Sequence, residues 1–170
     1  MSIAQQTQIA EHLDQAQTWL NQAVDGLREA GAEEFIVRGL LARAAAARYR
    51  AVILPDQTAV QQAQTSAAQD LAEVYASATR SGMRLFLTDY HLEMARWLLT
   101  FPDIMHSDPW MRTIGEIGAD SEGSADDHCG AFGGLSAAEH VQQARDLMDQ
   151  TGYRWPDSAV EHLRTAAINT

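Results

Sequence analysis

Apolar residues recur at helical offsets of three, four and seven in three stretches that end alike. The first holds Leu20, Ala23, Val24 and Leu27, the second Leu71, Val74, Tyr75 and Ala78, and the third Val141, Ala144 and Met148, with Arg145 breaking the last pattern. Leu20 to Gly31, Leu71 to Gly82 and Val141 to Gly152 each span the same eleven positions. A glycine after the last apolar residue suits the left-handed position just past a helix end, where a missing Cβ removes the steric penalty. Each stretch therefore predicts an amphipathic helix followed by a tight turn.

The flanking residues repeat in kind. Ser66 to Gln69 and Ser136 to Glu139 have capping-box spacing, in which a serine oxygen takes an orphan backbone N–H and the residue three on reaches back, so each serine is expected to open a helix. After the glycines, residues 33–53 and 84–101 also read as helices, with Phe35 equivalent to Phe86, Leu41 to Leu92 and Ala44 to Ala95. In the third copy Pro156 interrupts, and the helix should restart at Asp157, with Ser158 to Glu161 as another capping box. The expectation is six helices over about 5–30, 33–53, 57–81, 84–101, 136–151 and 157–168, and no strand.

Composition narrows the functional classes. A chain of 170 residues suits one domain, here 1–170, and its 46% hydrophobic content is ordinary for a globular protein. No apolar run approaches the roughly 18 residues of a membrane span. The opening residues are polar and carry no basic-then-apolar leader, so a cytoplasmic address is expected. A single cysteine, Cys129, leaves no internal disulfide framework. The net charge of −11 argues against a nucleic-acid partner, because phosphate binding needs a positive footprint. All twelve basic side chains are arginine, so lysine-dependent Schiff-base and phosphate-loop chemistry is excluded.

Candidate chemistry is sparse. There is no glycine-rich phosphate cradle, serine elbow or His-Glu-x-x-His pair. His91 stands between Asp89 and Glu93, but residues two apart on a helix do not face each other, so the three are no catalytic constellation. A glycine-, serine- and aspartate-rich insertion at about 102–135 brings Asp120, Glu122, Asp126, Asp127, His128 and Cys129 close in sequence. Their spacing matches no paired ligand pattern, so an acidic loop is expected there and neither metal nor cofactor. Upstream in it, Trp110 and Ile114 are candidates to pack back onto the helices.

Ala16, Leu20 and Ala23, then Ala67, Leu71 and Val74, then Ala137, Val141 and Ala144 resemble the second-helix pattern of tetratricopeptide repeats, and Phe35 with Gly39 meets part of the first-helix pattern. The chain also resembles the degenerate arrays at the C-terminal ends of large bacterial multidomain proteins, often behind a nucleotide-switch ATPase module. It departs in spacing: its glycines lie 51 and 70 residues apart where the family repeats at about 34, as insertions between hairpins would produce. The resemblance implies an all-α fold of antiparallel helical hairpins stacked as a short tetratricopeptide-like solenoid. Its concave face would carry Ile36, Leu40 and Arg43 from one hairpin and Leu87, His91 and Met94 from the next. The function implied is a noncatalytic scaffold that binds a peptide or partner helix in that groove, with no membrane partner and with uncapped ends that leave self-association open. The alternative is a regulatory segment of a signalling ATPase or transcriptional regulator that binds a small ligand between hairpins. A metal-dependent enzyme built on the acidic insertion is a distant third.

Overall fold

A computed structural model of the protein describes residues 3–53, 56–102, 104 and 135–168. The described residues form six α-helices and no strand: α1 (Ile3–Glu29), α2 (Glu33–Ile53), α3 (Gln57–Arg80), α4 (Arg84–Thr100), α5 (Ala137–Thr151) and α6 (Asp157–Ile168). These bounds fall within about two residues of those read from periodicity. The protein is all-α. The acidic cluster from Asp120 to Cys129, and Trp110 with Ile114, lie outside the described residues.

Three glycines end helices as their spacing predicts. Gly31, Gly82 and Gly152 have φ of 66°, 65° and 70°. At the α3–α4 turn the Met83 N–H donates to the Ala78 carbonyl at 2.8 Å and the Gly82 N–H to Thr79 at 3.3 Å, the paired bonds of a Schellman turn. Nothing lies within 4 Å of a Cβ added at Gly82, so its backbone conformation alone opposes a side chain. Gly82→Ala is therefore expected to destabilise by about 1 kcal/mol, whereas Gly26→Ala, exposed within α1 with the same free space, should stabilise by about 0.5–1 kcal/mol. Urea denaturation of both variants checks this, and shifts of the same sign would remove the left-handed turn as the reason for the glycine.

The serines divide. Ser136 caps α5 with a complete capping box, its Oγ accepting from the Glu139 N–H while Glu139 accepts from the Ser136 N–H at 2.7 Å. Ser66, by contrast, sits inside α3, which begins nine residues earlier because Asp56 accepts the Ala59 N–H at 2.9 Å. The intervening glutamines and alanines are good helix formers, and the earlier cap wins. Likewise Ser158 lies within α6, and Glu161 pairs with Arg164 at 2.6 Å.

Helices α2, α4 and α6 touch in succession; α1 packs on α2, α3 across α2 and α4, and α5 across α4 and α6. One buried cluster joins α1 to α4 through Val24, Leu40, Leu71, Tyr90, Met94 and Trp97. Ile104, inside the expected insertion, is also buried there. A second cluster joins α4 to the last two helices through Leu92, Ala95, Val141, Ala144, Met148 and Val160. Helix α4 is thus covered on both sides, and the α5–α6 hairpin is held to the rest of the described chain mainly through it. Between α1 and α2 the backbones approach closely at Gly39, where a Cβ would stand 2.9 Å from the Val24 side chain.

Candidate partner groove

An open groove of about 260 Å³ runs between α2 and α4. Its floor is Leu41, Ala42 and Ala45 of α2; Arg38 stands on one wall, Asp89, Glu93 and Arg96 of α4 on the other, and Trp155 closes one side. Trp155 reaches this place by local rules. Gly152 ends α5 in the left-handed conformation, and Pro156 disfavours a helical residue before it, so Tyr153, Arg154 and Trp155 cross non-helically to α6. That crossing lets the Trp155 indole N–H donate to Asp89 at 2.7 Å, with the Arg96 guanidinium 5.2 Å above its ring.

The α4 carboxylates are engaged. Glu93, buried, accepts from Arg48 of α2 at 2.8 Å and from Arg96 at 3.1 Å. Asp89 also takes the Tyr153 hydroxyl, at 3.5 Å. Burial pushes the Asp89 carboxyl above its usual range, against the pull of the Trp155 and Tyr153 donors. Arg38 is more available: it makes an exposed pair with Glu34 one helical turn back and lies over the Phe86 ring at 5.4 Å. Along α2, Phe35, Arg38, Ala42, Ala45, Tyr49 and Val52 follow each other at alternating steps of three and four, one continuous helical face. Of these, Phe35, Tyr49 and Val52 are large apolar side chains left exposed, as is Leu85 at the start of α4.

The residues expected to line a groove are elsewhere. Leu40 and Met94 are 0% exposed and belong to the main core, with Ile36 and Leu87 packed against it. Arg43 turns to the α1–α3 side, where it forms a two-pronged pair with Asp70 at 2.8 and 2.6 Å and reaches Asn21 at 3.1 Å. That pair lies in a separate cleft of about 340 Å³. His91 is buried against His140 of α5, their Nδ1 atoms 2.8 Å apart. The groove residues Arg38, Ala42, Ala45 and Asp89, Glu93, Arg96 each stand two positions after Ile36, Leu40, Arg43 and Leu87, His91, Met94. At about 100° per residue, two positions turn a helix by about 200°, so the expected face is the one that packs inward.

A larger cleft, about 420 Å³, lies between α5 and α6 and is lined by Arg145, Met148 and Glu161 among others. Its rim carries an exposed Arg154–Asp149 pair at 3.5 Å, and a single hairpin with its own connection supplies the whole wall. The α2–α4 groove instead draws on three elements with an apolar floor, which suits it better to recognition. Among the described residues no group of three or more His, Cys, Asp or Glu is placed to hold a metal, and no helix is long and apolar enough to cross a membrane. No protein-family model matches the chain, and no curated protein or solved structure is significantly similar to it.

Proposed function

We propose that the chain is a tetratricopeptide-like, noncatalytic interaction scaffold whose α2–α4 groove takes a peptide segment. The observation that carries this reading is the exposed stripe of α2, on which Phe35, Ala42, Ala45, Tyr49 and Val52 form an apolar track beside Arg38 and Arg96. Large side chains left in water on one helical face mark an interaction surface more often than chance scatter does. The small residues Ala42 and Ala45 leave room for an incoming apolar side chain, and Arg38 can pair with a carboxylate of the same peptide. The openness of the groove favours a peptide over a small ligand enclosed between hairpins, the reading of a regulatory segment.

The test is selection from a displayed library of random dodecapeptides, followed by isotherms on the wild type and on Ala42→Arg. Ala42 is exposed on a helix, so the arginine should leave the melting temperature within about 2 °C, fill the floor and weaken binding at least tenfold. Selected peptides that bind Ala42→Arg with unchanged affinity would place the binding site elsewhere.

A further inference from the structure

His91 of α4 and His140 of α5 lie 49 residues apart in sequence, and neither the groove nor its floor uses them. Both are buried, and their Nδ1 atoms stand 2.8 Å apart, a distance at which one ring must donate and the other accept. The Nε2 of His140 is buried without a hydrogen-bond partner. The pair also lies at the junction of the two apolar clusters, since among the described residues α5 meets the rest mainly through α4. We infer that the His91–His140 pair is a protonation-sensitive latch that holds the α5–α6 hairpin, and with it Trp155, against α4, so that acidification releases the hairpin.

The geometry makes charge costly in two steps. One added proton places a cation among apolar side chains, and if it resides on His140 it leaves a charged Nε2–H with no acceptor. A second proton turns the accepting Nδ1 into a donor, so two N–H groups face each other across a hydrogen-bonding distance, and the rings must part. Among the described residues the surroundings offer no compensation. The Tyr90 ring of α4 stands steeply inclined to both histidine rings, at 5.0 and 6.1 Å between centroids, with Tyr75 of α3 5.2 Å from Tyr90. Glu93 is taken by Arg48 of α2 and by Arg96, Asp89 by Trp155, Glu139 of α5 by Ser136, and Glu161 of α6 by Arg164. Burial lowers His91 from its ordinary value to about 4. Burial, and secondarily His91, lowers His140 to about 3.

The direction follows. A released hairpin exposes both rings, which then titrate near 6.5, while the docked rings stay neutral to about pH 4. The released state therefore binds more protons between these values, docking is fully favoured above about pH 7, and it weakens as pH falls through 6.5. At pH 5 the release equilibrium should rise by about 30-fold for one histidine and up to about 1,000-fold for both. The consequence for Trp155 as a groove wall rests on the peptide-groove reading; the latch itself does not.

Hydrogen exchange of the intact chain, without peptide, at pH 7.5 and 5.0 and corrected for intrinsic exchange, tests the latch. Amides of 137–168 should lose at least 30-fold in protection while those of 57–80 keep theirs. Unchanged protection of 137–168 overturns the latch, as does an equal loss in α3, which would mean global unfolding. The double variant His91→Leu, His140→Leu should lose the pH step; a step of the same size there also overturns it. Imidazole ¹⁵N shifts of the wild type decide independently of whether that variant folds. Rings that charge near pH 6.5 while 137–168 stays protected contradict the latch, and rings that charge only as protection is lost support it. Failure of a selected peptide to bind at pH 7.5 counts against the groove reading alone, whereas unchanged affinity at pH 5.0 with the hairpin released removes Trp155 as a wall of the site.

Discussion

Met94→Asp is expected to abolish the cooperative fold. Met94 is wholly buried in the cluster that joins α1 to α4, among Leu40, Tyr90 and Trp97. An aspartate there must bury a carboxylate without a partner or take up a proton, and in either form the cavity left by the thioether adds to the cost. The sum is about 4 kcal/mol or more, against a total stability of about 5–15 kcal/mol for a domain of this kind. Far-UV circular dichroism and a thermal melt should show lost or non-cooperative structure at 25 °C. Ala42→Asp, on the exposed face of α2, should change stability by less than about 1 kcal/mol. Native dichroism and a melt near the wild type for Met94→Asp would mean that α4 is rotated, with Met94 facing solvent.

This contrast also marks what the amino-acid pattern could convey. The helix bounds were legible because glycine, proline and the amphipathic period each act within a few residues. Rotation was not legible for α2 and α4. Helix α4 buries ten residues, from Phe86 to Leu98, because α2, α3, α5 and α6 surround it, and α2 meets α1, α3 and α4. A helix with three or four neighbours is apolar nearly all round, and its periodicity no longer points to one side. The remaining signal was the charged and small set Arg38, Ala42, Ala45, Asp89 and Arg96, which share faces at helical spacing but resemble ordinary surface until Trp155 is placed beside them. Similarly, Pro156 announced a break in the chain, but not that the residue before it would hydrogen bond to Asp89, 66 positions earlier. The sequence neighbours of His91, Asp89 and Glu93, give no sign that its partner is His140 of α5. Ser66 misled because a capping box is only a local option, and Asp56 offered the same helix an earlier start.

Glu93 should carry the largest effect of any polar side chain at the groove. It is nearly inaccessible, and its two oxygens accept from Arg48 and Arg96 separately, so one carboxylate is shared between two guanidinium groups. Arg96 retains water and the face of Trp155 if Glu93 is lost. Arg48 is worse placed, because its side chain is 11% exposed and its other close contact is the Tyr49 ring at 4.7 Å. Glu93→Gln preserves the shape and withdraws the charge, leaving Arg48 buried beside a neutral amide. The expected loss is about 2–4 kcal/mol by urea denaturation with an unchanged m value. Glu161→Gln breaks a still shorter pair, 2.6 Å to Arg164 on the exposed side of α6, and should cost no more than about 0.5 kcal/mol, since water and side-chain entropy offset such pairs. Replacing Arg48 by Met and Glu93 by Leu together should recover part of the loss, because the unpaired charge is then gone. Equal effects of Glu93→Gln and Glu161→Gln would show that Arg48 reaches solvent and that this wall of the groove is not fixed by charge.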